Sequence, residues 1–132
     1  MRAREPTQTG YAVRDGVRIS YEIHGSGDRT LLFLPAWSIV HSRMWKAQVP
    51  YFARYARVVT FDGRGNGKSD KTPELDYSDE AFYADTLAVM DATNTKRAVL
   101  VALSAGVRWA LMVAARNPDR VERLICIGPA VP

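Results

Sequence analysis

Cysteine and histidine are the scarce residues of this chain. The single cysteine, Cys126, excludes an intrachain disulfide and suits a reducing compartment, so a cytoplasmic location is expected. The two histidines, His24 and His41, leave few imidazoles for general-base work, and no His/Cys spacing of a zinc site is present. No apolar run approaches the ~18 residues needed to span a bilayer. The basic N-terminus, Met1-Arg2-Ala3-Arg4, carries no apolar core of a secretory signal behind it. There is no internal repeat, low-complexity tract or linker. The carboxylates lack the paired spacing of glycoside chemistry or metal ligation. No membrane, metal or cofactor is therefore expected.

What is present is a composition that folds. With 47% hydrophobic and 24% charged residues, a globular domain is favoured over disorder. At 132 residues the chain reads as one domain with its own core. The formal net charge of +4 raises the question of nucleic acid. The basic residues are scattered, however. Their densest group, Arg43, Lys46, Arg54 and Arg57, reads as a solvated helix face, with no aromatic-basic signature beside it. Nucleic acid is not expected as a partner.

Residues 1–9 are polar and expected to be disordered. Tyr11–Asp15 and Val17–His24 alternate apolar with polar around Asp15-Gly16, which predicts an antiparallel hairpin at a sheet edge. Leu31–Leu34, Val58–Phe61, Arg97–Leu103 and Val121–Ile127 are apolar runs of the kind buried on both faces of a parallel sheet. Between them, His41 to about Arg57 looks partly helical with an interruption at Pro50. Ser78 caps a helix running to about Asn94, with Asp79 and Glu80 in its first turn, Tyr83, Leu87 and Met90 on its apolar face and Phe82 beside them. A second helix, Val107–Asn117, has a small face at Gly106, Ala110 and Val113 and stops at Pro118. Strands alternating with helices predict an α/β fold: a three-layer α/β/α sandwich with a mostly parallel sheet and an antiparallel N-terminal hairpin. Ligand sites in such folds lie beyond the carboxyl ends of the strands.

The chemistry concentrates at one turn. Val99–Leu103 is a β-branched run that ends in Ser104-Ala105-Gly106 and passes straight into a helix. This is the strand–turn–helix context of the G-x-S-x-G nucleophile elbow, with Ala102 in place of the first glycine. The bland alternative is a serine that caps a helix. A serine hydroxyl needs an adjacent base. His41 follows the Pro35-Ala36-Trp37 turn and could face the carboxyl side, although a helix-end role suits it better. His24 ends a hairpin strand and reads as lining a turn near the sheet edge. Cys126 reads as core. The run Gly63-Arg64-Gly65-Asn66-Gly67-Lys68-Ser69 imitates a phosphate loop. Asp62 stands where its first glycine belongs, and Pro73 follows where a helix should begin. A tight structural turn, tied by Asp62, is the better reading.

Three stretches together resemble the N-terminal half of the α/β-hydrolase superfamily: Leu31–Trp45, Phe61–Asp70 and Val99–Pro129. Asp62–Asp70 is similar to that family's D-x-R-G-x-G-x-S-D turn, and Asn117-Pro118-Asp119-Arg120-Val121 to its segment after the nucleophile helix. The resemblance covers about residues 11–130. It extends in particular to hydrolase-like domains of actinobacteria, some of them fused to nucleotide-cyclase or other signalling domains. It implies Ser104 as nucleophile, with an oxyanion hole made by the backbone N–H groups of Ala105 and Trp37. Where the family usually carries His-Gly before that second donor, this chain has Pro35-Ala36. The family's acid and histidine follow the serine, and the sequence stops 28 residues after Ser104 (132 minus 104).

The expectation is thus a truncated α/β-hydrolase fold, a single partial domain over residues 1–132. It belongs to a serine hydrolase acting on an ester-like or other acyl small-molecule substrate, and this chain alone is close to inactive. A complementing C-terminal segment or a homodimer would supply what is lacking. Two rival readings stand beside it. One is a non-catalytic hydrolase-like module for sensing or dimerisation. The other is a truncated gene remnant. In each, Val121–Ile127 is an apolar strand left at an edge.

Overall fold

The computed structural model describes residues 4–130. Its centre is one six-stranded sheet in the order β1-β2-β4-β3-β5-β6. Strands β1 (Gln8–Arg14) and β2 (Val17–His24) form the expected hairpin. Asp15 and Gly16 both take positive φ, 50° and 77°, as a two-residue loop matching strand twist requires. Strand β2 pairs antiparallel with β4 (Arg57–Phe61). From there the sheet is parallel through β3 (Thr30–Phe33), β5 (Ala98–Leu103) and β6 (Val121–Ile127).

Alternation along each central strand feeds two cores. Leu32, Leu34, Val59, Phe61, Leu100 and Ala102 face α2 (Asp79–Ala92) and α3 (Gly106–Arg116). Phe33, Val58, Val99 and Val101 face the other way, onto α1 (Gln48–Phe52) and the 3₁₀ turn Ser42–Trp45. These are the three layers the sequence predicts. Pro50 falls in the first turn of α1, where its missing N–H has no partner to lose. The Ser78 hydroxyl caps α2 by accepting from Ala81 N (3.2 Å).

Four expectations are corrected. The disorder expected for residues 1–9 fails at its end: β1 begins at Gln8, and Thr7 donates to Ile23 O through both its N–H and its hydroxyl. Residues 1–3 of that expectation lie outside the described residues. The buried face of α2 is Phe82, Asp85, Thr86, Val89 and Met90, while Tyr83 and Leu87 only flank it. His24 lies near the sheet edge as expected, one strand in from β1, but it is buried in the ladder with β4 rather than lining a turn. Finally, β6 is the apolar edge strand expected, half exposed, and the correction concerns its cysteine. Ile125 and Ile127 are each 45% accessible, and Cys126 is exposed rather than core. Among the described residues β6 pairs only with β5, and no helix covers its α1-side face, so its burial stops at one partner.

Candidate active site

Strand β5 ends at Leu103, and the chain turns at Ser104 with φ +57°, a left-handed conformation that L residues adopt only when held. The holding is done by backbone. Ser104 N donates to Ile127 O (3.0 Å), and Ser104 O accepts from Val107 N (3.1 Å) and Ala130 N (3.2 Å). Both peptide groups of the serine are thus committed, and only its side chain is left for other work. Helix α3 starts two residues later without a side-chain cap; Val107 and Arg108 donate back to the Ser104 and Ala105 carbonyls, and among the described residues only the N–H groups of Ala105 and Gly106 are left open at this turn.

Small residues make this close turn fit. Ala102 and Ala105 are buried, so the alanine in place of the motif's first glycine is accommodated in the core. A Cβ on Gly106 would stand 2.3 Å from the carbonyl oxygen of Pro35. The loop after β3 therefore packs directly against the elbow. Leu34 N donates to Val101 O (3.0 Å) just before that loop. Pro35 and Ala36 are buried, and Trp37 is 55% exposed, closing an isolated bridge with Val40.

The glycine-rich turn clamps the same loop from the other side. Asp62 Oδ1 accepts from Ser42 N (2.8 Å), and Asn66 Nδ2 donates to Ser38 O (3.2 Å). Asp62 Oδ2 accepts from Lys68 N (2.9 Å), which makes Asp62 the tie of the turn, as expected. Gly67, at φ +54°, is required because a Cβ there would meet that carboxylate oxygen at 2.1 Å. The N–H groups of residues 65 to 69 all donate within residues 62–70. None remains to cradle a phosphate, so the phosphate-loop reading fails on geometry.

One element of the site's frame escapes sequence reasoning. Arg64, 2% exposed, makes a two-pronged pair with the fully buried Asp85: Nε to Oδ2 at 2.6 Å and Nη2 to Oδ1 at 2.8 Å. Arg14 reaches the same carboxylate from β1 (2.9 Å). The hydrogen bond to Asp85 raises the Arg64 pKa against the cost of its burial. The only signal was a carboxylate on the core-facing side of α2. Asp79, the first residue of α2, accepts from Arg108 and from Trp109 Nε1 (2.7 Å) at the start of α3, and those bonds hold its carboxyl below the usual range. Trp109 stacks on Phe82 with ring centroids 4.1 Å apart, fixing α3 against α2.

The histidines stand elsewhere. His24 pairs with Val58 at the amino end of the parallel strands, opposite the elbow. Its Nδ1 is buried with no hydrogen-bond partner among the described residues, and its Nε2 lies 3.6 Å from Glu22. Burial pushes its pKa down, opposed by Glu22. His41 is exposed and caps the 3₁₀ turn, its Nδ1 accepting from Arg43 N (3.2 Å), the helix-end role expected of it. No cluster of three metal-ligating side chains occurs among the described residues. No helix among them is long and apolar enough to cross a membrane.

A sharp turn carrying a serine above a mostly parallel sheet, flanked by a D-x-R-G-x-G-x-S-D turn, defines a class of fold. The chain belongs to the α/β-hydrolase fold family, whose model matches residues 24–132. Its relatives include the 2-hydroxymuconate semialdehyde hydrolase of Pseudomonas sp. (strain CF600), 33% identical over 108 residues, which are 82% of this chain and 35% of that protein. The N-formylmaleamate deformylase of Pseudomonas putida is 30% identical over 129 residues, 92% of this chain and 45% of that protein. Among solved structures, Est816, described as an N-acyl homoserine lactone degrading enzyme, superposes with a TM-score of 0.85 at 33% identity. That match covers 91% of this chain and 45% of Est816. The chain therefore spans less than half the length of these relatives.

Proposed function

We propose that this chain is the nucleophile-bearing part of a serine hydrolase acting on ester-like or other acyl substrates. The observation that carries the reading is Ser104 held at φ +57° between β5 and α3. A strained non-glycine residue costs about 1–3 kcal/mol, and such strain is kept where it presents a reacting group. In this reading the Ser104 hydroxyl attacks the acyl carbon, and the N–H groups of Ala105 and Trp37 stabilise the oxyanion that develops. The clamp on residues 38 and 42 by Asn66 and Asp62 supports a fixed position for the Trp37 donor.

The base and its acid must come from residues other than His24 and His41. Without a base, kcat falls by about 10⁶-fold, or roughly 8 kcal/mol of barrier. The 132 residues alone are thus expected to be close to inactive, and a complementing C-terminal segment, pairing at β6, restores the site. The exposed Cys126 suits a cytoplasmic setting. The test is labelling by a fluorophosphonate probe and turnover of p-nitrophenyl esters, with and without the C-terminal half of a relative. Labelling that Ser104→Ala abolishes is expected with the complement. No labelling in either case rejects the reading. Pro35-Ala36 in the oxyanion loop favours a second reading, a non-catalytic ligand-binding module, which predicts binding that survives Ser104→Ala.

A further inference from the structure

The amino ends of the parallel strands, the side away from Ser104, carry an open cavity of about 540 Å³. It is walled by the start of β3, the start of β4 and the loop from α2 to β5. Three cations line it: Arg57, Lys96 and Arg97. Among the described residues none of the three has a carboxylate within salt-bridge distance. Asp28 is the one acid in the lining. The charged lining thus sums to a formal +2 (three cations minus Asp28).

Arg57 is the built part. It is half-buried, and its guanidinium is fixed by neutral oxygens only: Nη1 donates to Thr30 Oγ1 (3.3 Å) and Thr95 Oγ1 (2.9 Å), and Nη2 to Thr93 O. Capping the last turn of α2 through Thr93 accounts for one of these bonds. A guanidinium has five N–H donors. Three are used, which leaves Nε–H and one Nη2–H without a partner among the described residues. The three threonines beside the group, Thr30, Thr93 and Thr95, are buried, so the fork is held rigid at the cavity wall. Lys96 and Arg97 are exposed and follow directly on the same loop.

A planar donor fork flanked by two further cations recognises a tetrahedral oxyanion of charge −2. We propose that this cavity is a binding site for a phosphate group, as a phosphate monoester or as inorganic phosphate, separate from the Ser104 site and independent of its activity. The cavity has room for a small organic body beyond the phosphoryl group, within the size range of ligand pockets.

The test is calorimetric titration of the full chain with inorganic phosphate and with ribose 5-phosphate, at constant ionic strength. Arg57 also supports the α2–β5 loop, so the decisive variant is the exposed pair Lys96→Ala/Arg97→Ala, with retained folding checked by circular dichroism. The control is Arg43→Ala/Lys46→Ala, which removes the same charge elsewhere. Saturable binding is expected, weakened about tenfold in the first variant and within about twofold of wild type in the control. Tighter binding of ribose 5-phosphate identifies a monoester site; equal affinities identify a site for the phosphate ion. Absence of saturation by either probe at ~10 mM, or equal loss in both variants, overturns the proposal.

Discussion

The elbow has two flanks, and they are built differently. On the β3–β4 side, Gly63 and Gly106 close on Pro35, Asp62 and Asn66 hold the loop bearing Trp37, and Arg64 locks the turn to Asp85. Every polar group named there has a partner inside the sheet's frame. On the β6 side, the elbow is held by Ile127 O, Ala130 N and the β5–β6 ladder, and beyond that strand the apolar Ile125 and Ile127 are exposed. The closed flank positions chemistry. The open flank leaves β6 with one strand partner among the described residues.

The largest way to break this contrast is on the closed flank. Arg64→Ala leaves Asp85 with only Arg14, in a buried setting, and should cost about 3–5 kcal/mol in urea unfolding. A loss below about 1 kcal/mol would mean that the network does not hold the turn. Gly106→Ala drives a methyl group against the Pro35 carbonyl and should cost about 1–3 kcal/mol, with Trp37 fluorescence shifting as the loop moves. Ser104→Gly works in the opposite sense. It removes the left-handed strain and should raise stability by about 1 kcal/mol, read as a higher urea midpoint at unchanged slope.

Two smaller effects sharpen the comparison. His24 titrates below its ordinary value of 6.5 when folded, because burial disfavours its charge. Between its folded and unfolded pKa values the unfolded chain binds more protons. Stability is therefore full above pH 6.5 and falls as pH drops from there toward the folded pKa. His24→Gln should flatten that part of the stability profile. On the open flank, Ile125→Lys/Ile127→Lys should change stability by no more than about 0.5 kcal/mol while suppressing concentration-dependent association. A wild-type chain that elutes as a monomer at every concentration would show that the open strand does not recruit partners.

Part of this molecule is legible residue by residue. Asp15-Gly16 dictates its hairpin turn, Ser78 its cap, and Gly67 the tight approach to Asp62, because each is a local requirement of backbone conformation. The sharp strand–turn–helix at Ser104 is legible for the same reason, while the choice between an elbow and a capping serine is not. Asp85 was not legible, since its partners come from 21 and 71 positions away and turn a charge on the core side of a helix into a satisfied one. The burial of His24 was not legible, because it comes from pairing with β4, which lies later in the chain.

By itself, then, the sequence determined the strands and helices, the turn chemistry and the serine's presentation, all governed by short-range sterics and periodicity. Tertiary structure alone decided which face of β6 is covered, that both histidines stand away from the serine, and which three cations share a cavity. Burial and charge compensation depend on what packs alongside: Val121–Ile127 is the apolar edge strand expected, and Cys126, which reads as core in sequence, is exposed because a strand is buried only on the sides that something covers.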